Sequence, residues 1–184
     1  MGSPPSESGS PRTELERLRG AVRGTDRGPG LAAVLPRLQR FHRKSLVRLE
    51  RWTRGDLARH PEPRELIRSV RRPGNRDEHG RLVSVFDARR ILTVDVHENR
   101  VVRHVALEVR SRLRTLAARD QGDAAEILGE LDAALDRAPF LREVGALDAR
   151  PTEPTATLSG DPLYRTVFRS WLELDGDPAG PPDL

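Results

Sequence analysis

The chain has 184 residues, of which 36% are hydrophobic and 33% charged, and its formal net charge is +4. This length suits one domain with a real core, and the absence of cysteine excludes disulfides, thiolate nucleophiles and cysteine zinc sites. No apolar run approaches the roughly 20 residues that span a bilayer, and the N-terminus lacks a signal-peptide pattern, so we expect a cytoplasmic protein with no membrane contact.

Arginine supplies all but one of the 32 basic residues, and Lys44 is the single lysine. Because guanidinium groups stay charged and bind phosphate well, the excess suggests contact with nucleic acid. A GC-rich genome would produce the same excess through codon composition, and 28 acidic residues are interspersed among the basic ones. On composition alone we favour the second explanation.

Residues 1–11 are mostly Ser, Pro and Gly with almost no apolar content, which predicts a disordered tail. A short amphipathic helix is predicted next, over Thr13–Val22. It breaks at the glycines and proline of residues 24–30, since these residue types favour turns over helix.

A long second helix is predicted over Leu31–Arg54, ended by Gly55, with Pro36 either early in the helix or at a kink. Opposite its apolar side lies the densest basic surface of the sequence. We interpret this surface as a candidate nucleic-acid-binding site, formed by Arg37, Arg40, Arg43, Lys44, Arg48 and Arg51. A solvated basic face that needs no partner fits the sequence equally well.

A third, shorter helix is predicted over Arg64–Val70, followed by the loop RRPGNRDEHG, which is rich in turn residues. The stretch Arg81–Val94 then mixes β-branched and apolar residues. This composition predicts one or two short strands, and leaves a local hairpin open as an alternative.

The central helix is predicted to begin near Val96, because Asp95 and Glu98 have the spacing of a capping box. Three consecutive polar residues at its start, Glu98, Asn99 and Arg100, are interpreted as a helix-start network in which Glu98 caps the helix and Arg100 pairs with a neighbouring acid. The alternative is a functional triad. Beyond them, apolar residues recur every three or four positions and predict a buried face, formed by Val101, Val105, Val109, Leu113 and Leu116.

Two more helices complete the predicted bundle. The segment DAAEILGELDAALDRA repeats the capping-box spacing at Asp123 and Glu126, and we expect an antiparallel partner of the central helix that ends at Pro139. A brief apolar turn follows, and then an extended loop, ARPTEPTATLSG.

The last predicted helix opens with Asp161 as its cap and ends at Gly176. Its stripe of largely aromatic residues includes Tyr164 and Trp171. Aromatic side chains at helical spacing usually pack inward, so we expect this stripe in the core rather than stacked on bases. Residues 177–184 are predicted to be a loose tail.

Motifs of catalysis are missing from the sequence. A PD-(D/E)xK nuclease needs a lysine two residues after an acid, whereas the residue two before Lys44 is His42, and no glycine-rich P-loop precedes that lysine. There is no H-E-x-x-H motif, and His97 and His104 stand seven apart where a helical metal pair usually shows three or four. We therefore predict a protein without catalytic activity, metal or cofactor.

Two blocks of the chain resemble bacterial McrC-like proteins. VDVHENRVVRHVALEVRSRL is similar to the E-N-R-F/V-V-K/R segment of that family, and PFLREVGALDARPTEPTATLSGDPLYRTVFRSWLELDG to the block after it. Order and spacing agree over about Arg64–Gly176. In that family the two blocks form an uncharacterised helical domain that precedes a PD-(D/E)xK nuclease. The residues that match its motifs are Glu98, Asn99, Arg100, Tyr164 and Trp171.

The resemblance implies a role in restriction or antiphage defence, beside an AAA+ NTPase motor and a nuclease. Because the sequence stops within about ten residues of the aromatic helix, we expect the helical domain without DNA cleavage. It would be a split subunit, a truncated gene product or a retained module that scaffolds partners or contacts DNA. The alternative is a stand-alone, Arg-rich nucleic-acid-binding protein unrelated to restriction.

As a whole, the sequence predicts a mainly α-helical bundle over residues 12–176, with a short β element before the central helix and disordered tails at both ends.

Overall fold

The computed structural model describes residues 11–58, 61, 63–148 and 153–175. Seven α-helices, four strands and one 3₁₀ turn lie in this part of the chain, which confirms the mainly α fold with a short β element. The elements are α1 (Pro11–Arg23), β1 (Gly24–Thr25), β2 (Gly28–Pro29), α2 (Leu31–Phe41), β3 (Ser45–Arg54), α3 (Pro63–Arg71), β4 (Ser84–Thr93), α4 (His97–Ala117), α5 (Ala124–Asp136), the 3₁₀ turn (Pro139–Glu143), α6 (Ala156–Gly160) and α7 (Pro162–Asp175).

The tails predicted over residues 1–11 and 177–184 lie outside the described residues, apart from Pro11, where α1 begins. The described chain divides into two compact units. The helical unit comprises Met1–Arg43 and Val94–Leu184, and the ribbon unit comprises Lys44–Thr93. One domain over residues 12–176 stays a prediction.

Helix α4 is the centre of the helical unit. Its predicted apolar stripe is confirmed, since each of the five stripe residues is at most 3% exposed: Val101, Val105, Val109, Leu113 and Leu116. Helices α1, α5 and α7 pack around it, and α2 packs against all three of these helices. Arg110 of α4 pairs with Asp132 of α5 at 2.6 Å, and the two residues stand at similar distances from the connection between the helices. This pairing confirms the predicted antiparallel arrangement.

A tight two-stranded turn joins α1 to α2, where the sequence predicts a break. Gly24 has φ +96°, a conformation that side chains rarely adopt. At Gly30 a Cβ atom would lie 2.3 Å from the carbonyl oxygen of Val22, so the backbone has room only for glycine there. Pro36 lies inside α2, after its first turn.

The ribbon unit corrects the prediction of one helix over Leu31–Arg54. Helix α2 ends at Phe41, and β3 then pairs with β4 in an antiparallel ladder of ten residue pairs, from Ser45↔Thr93 to Arg54↔Ser84. The leucines and tryptophan of this stretch fit a helical stripe as well as a strand. Pairing with a partner some forty residues away therefore overrides the local pattern, as often happens for β-structure. The local hairpin within Arg81–Val94 is likewise replaced by this longer pairing.

Helix α3 confirms the helix predicted over Arg64–Val70 and covers the outer edge of β4 with polar groups. The hydroxyl of Ser69, which is fully buried, accepts a hydrogen bond at 2.8 Å from the backbone N–H of Phe86. Asn75, in the loop after α3, accepts from the Ser84 N–H at 2.8 Å and donates to the Ser84 carbonyl at 2.6 Å. Edge groups of β4 that no strand pairs are therefore satisfied here by side chains.

The C-terminal part of the chain departs from the prediction at one point. The stretch expected to be an extended loop contains α6, whose first turn is capped by the Thr155 hydroxyl, which accepts from the Leu158 N–H at 3.3 Å. At α7 the predicted cap is confirmed, because Asp161 accepts from the Leu163 N–H at 2.8 Å. The Gly176 stop lies outside the described residues. Within the described residues, no helix is long and apolar enough to cross a bilayer.

Candidate functional site

The most buried polar group of the helical unit is Asn99, which is fully inaccessible to solvent in the first turn of α4. Its amide nitrogen donates to the carbonyl of Arg43 at 2.9 Å and to the carbonyl of Val94 at 2.7 Å. Its amide oxygen accepts from the hydroxyl of Tyr164 at 2.5 Å. Both N–H donors of the side chain and one of the two lone pairs of its oxygen are therefore hydrogen-bonded.

Tyr164 closes the network from α7. Besides donating to Asn99, its hydroxyl oxygen accepts from the backbone N–H of Arg43 at 2.7 Å. The ring is 2% exposed, and burial, which disfavours the phenolate, raises the pKa of Tyr164 to about 12. Tyr164, Asn99, Arg43 and Val94 form what we call the Asn99 network.

The Asn99 network holds together two points that are far apart in the chain. Arg43 is the last residue of the helical unit before the ribbon unit begins, and Val94 is the first one after it ends. Since both carbonyls bond the same nitrogen atom, the outgoing and returning segments meet at Asn99. The sequence-predicted motif residues Asn99 and Tyr164 are thus brought into contact, 65 positions apart in the chain.

The neighbours of Asn99 in the motif make separate contacts. Arg100 pairs with Asp95 through a two-pronged contact at 2.7 and 2.9 Å, which confirms the predicted bridge to an acid. The predicted capping box is wrong: Val96 is the N-cap of α4, and no side chain caps it. Asp95 instead accepts from Arg100 and from the Gly145 N–H, and these bonds lower the pKa of Asp95 to about 2.

Glu98 also points away from the helix start. Its carboxylate accepts from the Thr155 hydroxyl at 3.3 Å and lies 3.9 Å from the guanidinium of Arg43, whose other contact is the hydroxyl of Thr157. Glu98 therefore links the start of α4 to α6. A second expected cap fails in the same way, because Asp123 accepts from Arg19 of α1 and does not cap α5.

Trp171, the last of the five motif residues, is part of the core. It is 2% exposed and meets the ring of His104 edge-on, with centroids 5.0 Å apart. The whole stripe of α7 is buried, which confirms the expectation that it packs inward. Within the described residues, no cluster of three or more metal-binding side chains forms, so His97 and His104 of α4 are not part of one. Asn99 and Tyr164 are thus bonded to each other, and the other three motif residues make separate contacts within the helical unit.

The six basic residues of the predicted nucleic-acid-binding face do not share a helix. Arg37 and Arg40 are exposed on α2, and the other four lie beyond it. Arg43 precedes the ribbon unit and Lys44 begins it, while Arg48 and Arg51 are in β3. Arg48 also pairs with Glu50 at 2.9 Å. The predicted continuous basic face is therefore wrong, because it depended on the helix continuing to Arg54.

A different basic surface was not predicted from the sequence. An open cleft with a cavity volume of about 660 Å³ lies between α3 and the ring of Trp52 in β3. We call it the arginine cleft, and it is lined by Trp52, Arg64, Ile67, Arg68, Arg71 and Arg72. The signal that could have found it is the spacing of Arg64, Arg68 and Arg71, which places three arginines on one side of a short helix.

The fold is that of a small helical domain interrupted by a β-ribbon whose two ends are joined by a buried Asn–Tyr pair. A family model described as Domain of unknown function (DUF2357) matches residues 18–171, and the chain belongs to this family. The matched range includes the Asn99 network and the arginine cleft. None of the curated proteins and none of the solved structures matches the chain.

Proposed function

We propose that this chain is a non-catalytic domain or subunit of a McrC-like restriction or antiphage defence system, and that it contacts DNA through its ribbon unit. The observation that carries the DNA contact is the distribution of charge. Residues 44–93 hold thirteen Arg and Lys against seven Asp and Glu, a net charge of +6, whereas the whole chain has +4. The helical unit is therefore slightly acidic, and the positive charge belongs to one unit.

The arginine cleft is the part of the ribbon unit best suited to phosphate. All four of its arginines are exposed. Among the described residues, the one carboxylate paired with any of them is Glu65, which lies 3.9 Å from Arg68. The guanidiniums of Arg64 and Arg71 are consequently available for two-pronged contacts with phosphate oxygens.

The role beside a motor and a nuclease rests on the resemblance of the two sequence blocks to McrC-like proteins. The partners that this role implies are an AAA+ NTPase motor and a nuclease subunit. A stand-alone nucleic-acid-binding protein would use the same basic unit. The genes that flank this one decide between the two: motor and nuclease genes favour the defence system, and their absence favours the stand-alone protein.

The DNA contact is tested by measuring affinity for a labelled duplex at several salt concentrations. We expect salt-dependent binding, and we expect the double variant Arg64→Gln/Arg71→Gln to reduce the slope of log K against log[salt] by about 2, since each lost phosphate contact lowers it by about 1. Neither side chain forms an ion pair or hydrogen bond with another described residue, so the substitutions remove charge without breaking a polar contact of the described chain.

The matched control is Arg37→Gln/Arg40→Gln, which removes two exposed arginines from α2 of the helical unit. This control should leave the slope nearly unchanged. Affinity that does not respond to salt would contradict the DNA contact. If the control lowers the slope as much as the double variant in the ribbon unit does, the assignment of the DNA contact to the ribbon unit is wrong.

A further inference from the structure

The floor of the arginine cleft is apolar although its rim is basic. Ile67 is 54% exposed and Trp52 is 38% exposed, next to four guanidinium groups. Phosphate alone would satisfy the rim and leave this apolar surface in water. A ligand that fits both the floor and the rim needs a flat apolar group close to a phosphate.

The contacts of Trp52 hold its ring in one orientation. The ring of Phe86, its cross-strand partner, meets it edge-on with centroids 5.4 Å apart. The guanidinium of Arg72 lies over it at 4.3 Å from the centroid, and the guanidinium of Arg68 lies over the ring of Phe86 at 4.7 Å. A fixed ring with guanidinium groups beside it is a surface on which a nucleobase stacks with little loss of side-chain freedom.

We propose that the arginine cleft binds an unpaired nucleic-acid strand, with a base stacked at Trp52 and the flanking phosphates at Arg64 and Arg71. This inference rests on the proposed function and narrows its ligand. In a duplex the faces of the bases are covered by their neighbours, so a duplex offers the cleft only its phosphates. A single strand offers phosphates and base faces together, which is the pairing that the rim and the floor present.

The test compares labelled oligo(dT), oligo(rU) and a DNA duplex of the same length, each titrated with the full chain at matched salt. We expect at least one of the two single strands to bind about tenfold or more tighter than the duplex. Binding should also quench tryptophan fluorescence. The quenching should persist in Trp171→Phe and disappear in Trp52→Phe, because Trp171 is buried and Trp52 is exposed.

Substitutions in the floor separate stacking from charge. Trp52→Leu should weaken single-strand binding about tenfold, whereas Trp52→Phe, which keeps an aromatic ring, should stay close to the parent chain. Since Trp52 also contacts Phe86, a second variant avoids that contact: Ile67→Ser, at a half-exposed position, should weaken single-strand binding and leave duplex binding unchanged.

The results that overturn this inference differ from those that overturn DNA contact. Duplex binding as tight as single-strand binding, or single-strand affinity unaffected by both Trp52→Leu and Ile67→Ser, refutes the unpaired-strand ligand and leaves the DNA contact standing. Failure of every nucleic acid to bind in a salt-dependent way refutes both.

Discussion

Replacing Tyr164 with phenylalanine tests whether the Asn99 network stabilises the helical unit. The substitution keeps the ring and its packing and removes only the hydroxyl. That hydroxyl donates to Asn99 at 2.5 Å and accepts from the Arg43 N–H at 2.7 Å, so its loss leaves one amide oxygen and one backbone N–H without their partners. The change therefore isolates the polar contribution of the network from its apolar contribution.

The expected loss follows from the burial of the two groups. An unpaired buried polar group costs about 1–3 kcal/mol. The amide oxygen of Asn99 is fully buried, while Arg43 is an exposed residue whose N–H can recover part of its bonding with water. We therefore expect Tyr164→Phe to lower the free energy of unfolding by about 2 kcal/mol, a large share of the roughly 5–15 kcal/mol typical of a domain.

Urea unfolding followed by circular dichroism measures this difference, and hydrogen exchange should show faster exchange of the Arg43 amide. The matched control is Ser170→Ala on the same helix. The Ser170 hydroxyl bonds only to the carbonyl of Thr166, which belongs to the same helix, so its removal should cost about 0.5 kcal/mol or less. If Tyr164→Phe unfolds within about 0.5 kcal/mol of the parent chain, the network does not contribute the stability argued from its burial.

Three further predictions concern pH and the core. Because Tyr164 is the only tyrosine, tyrosinate absorbance reports its ionisation alone, and we expect a titration midpoint near pH 12. Stability should fall as pH rises from 10 toward 12, since only the unfolded chain ionises its tyrosine readily in that range. An ordinary midpoint near pH 10 would contradict the burial of Tyr164. The pKa of Asp95 is lowered to about 2, so its contribution to stability is present above the unfolded pKa of 3.8 and is lost as pH falls toward 2. In acid titrations followed by circular dichroism, Asp95→Asn should reduce the loss of stability over this pH range. An unaltered profile would argue against the pairing of Asp95 with Arg100. Leu113→Ala removes a fully buried side chain of α4, so it should lower the free energy of unfolding, measured in urea, by about 2–5 kcal/mol. Leu107→Ala, at a 38% exposed position of the same helix, should lower it far less. Equal losses would refute the assignment of the buried face of α4.

Helices α4, α5 and α7 of the helical unit could be predicted from the sequence because their signals are local. The valine and leucine stripe of α4 and the aromatic stripe of α7 keep their period over several turns, and each stripe is buried where the period places it. The Asp161 cap was also found, since the aspartate and the proline after it leave little choice of helix start. These features depend on neighbours within a few residues.

The features that sequence reasoning missed depend on residues distant in the chain. The stretch after Phe41 satisfies a helical pattern through Leu46, Leu49 and Trp52, and only its pairing with β4 makes it a strand. Asp95 has the spacing of a cap, but its carboxylate accepts from Arg100 and from the N–H of Gly145, which lies 50 residues later, instead of from a helix-start amide. Competing long-range partners of this kind leave no periodic signal.

The candidate site was predicted in part. Asn99 and Tyr164 were singled out as motif residues, yet the sequence gives no reason for them to touch, because their contact requires α7 to pack beside the start of α4. The predicted basic face failed together with the helix that carried it. The concentration of charge in residues 44–93 could have been counted from the sequence once the boundaries of that unit were known.

One amide nitrogen joining Arg43 to Val94 has a consequence for how this protein could diversify. A segment that leaves a scaffold and re-enters it at the same place can be lengthened, shortened or exchanged without moving the helices on either side, since the scaffold needs only its two entry points kept together. Asn99 and Tyr164 would then be retained in relatives whose appendages differ in size and charge. The ribbon unit could therefore vary between relatives while the helical unit stays the same.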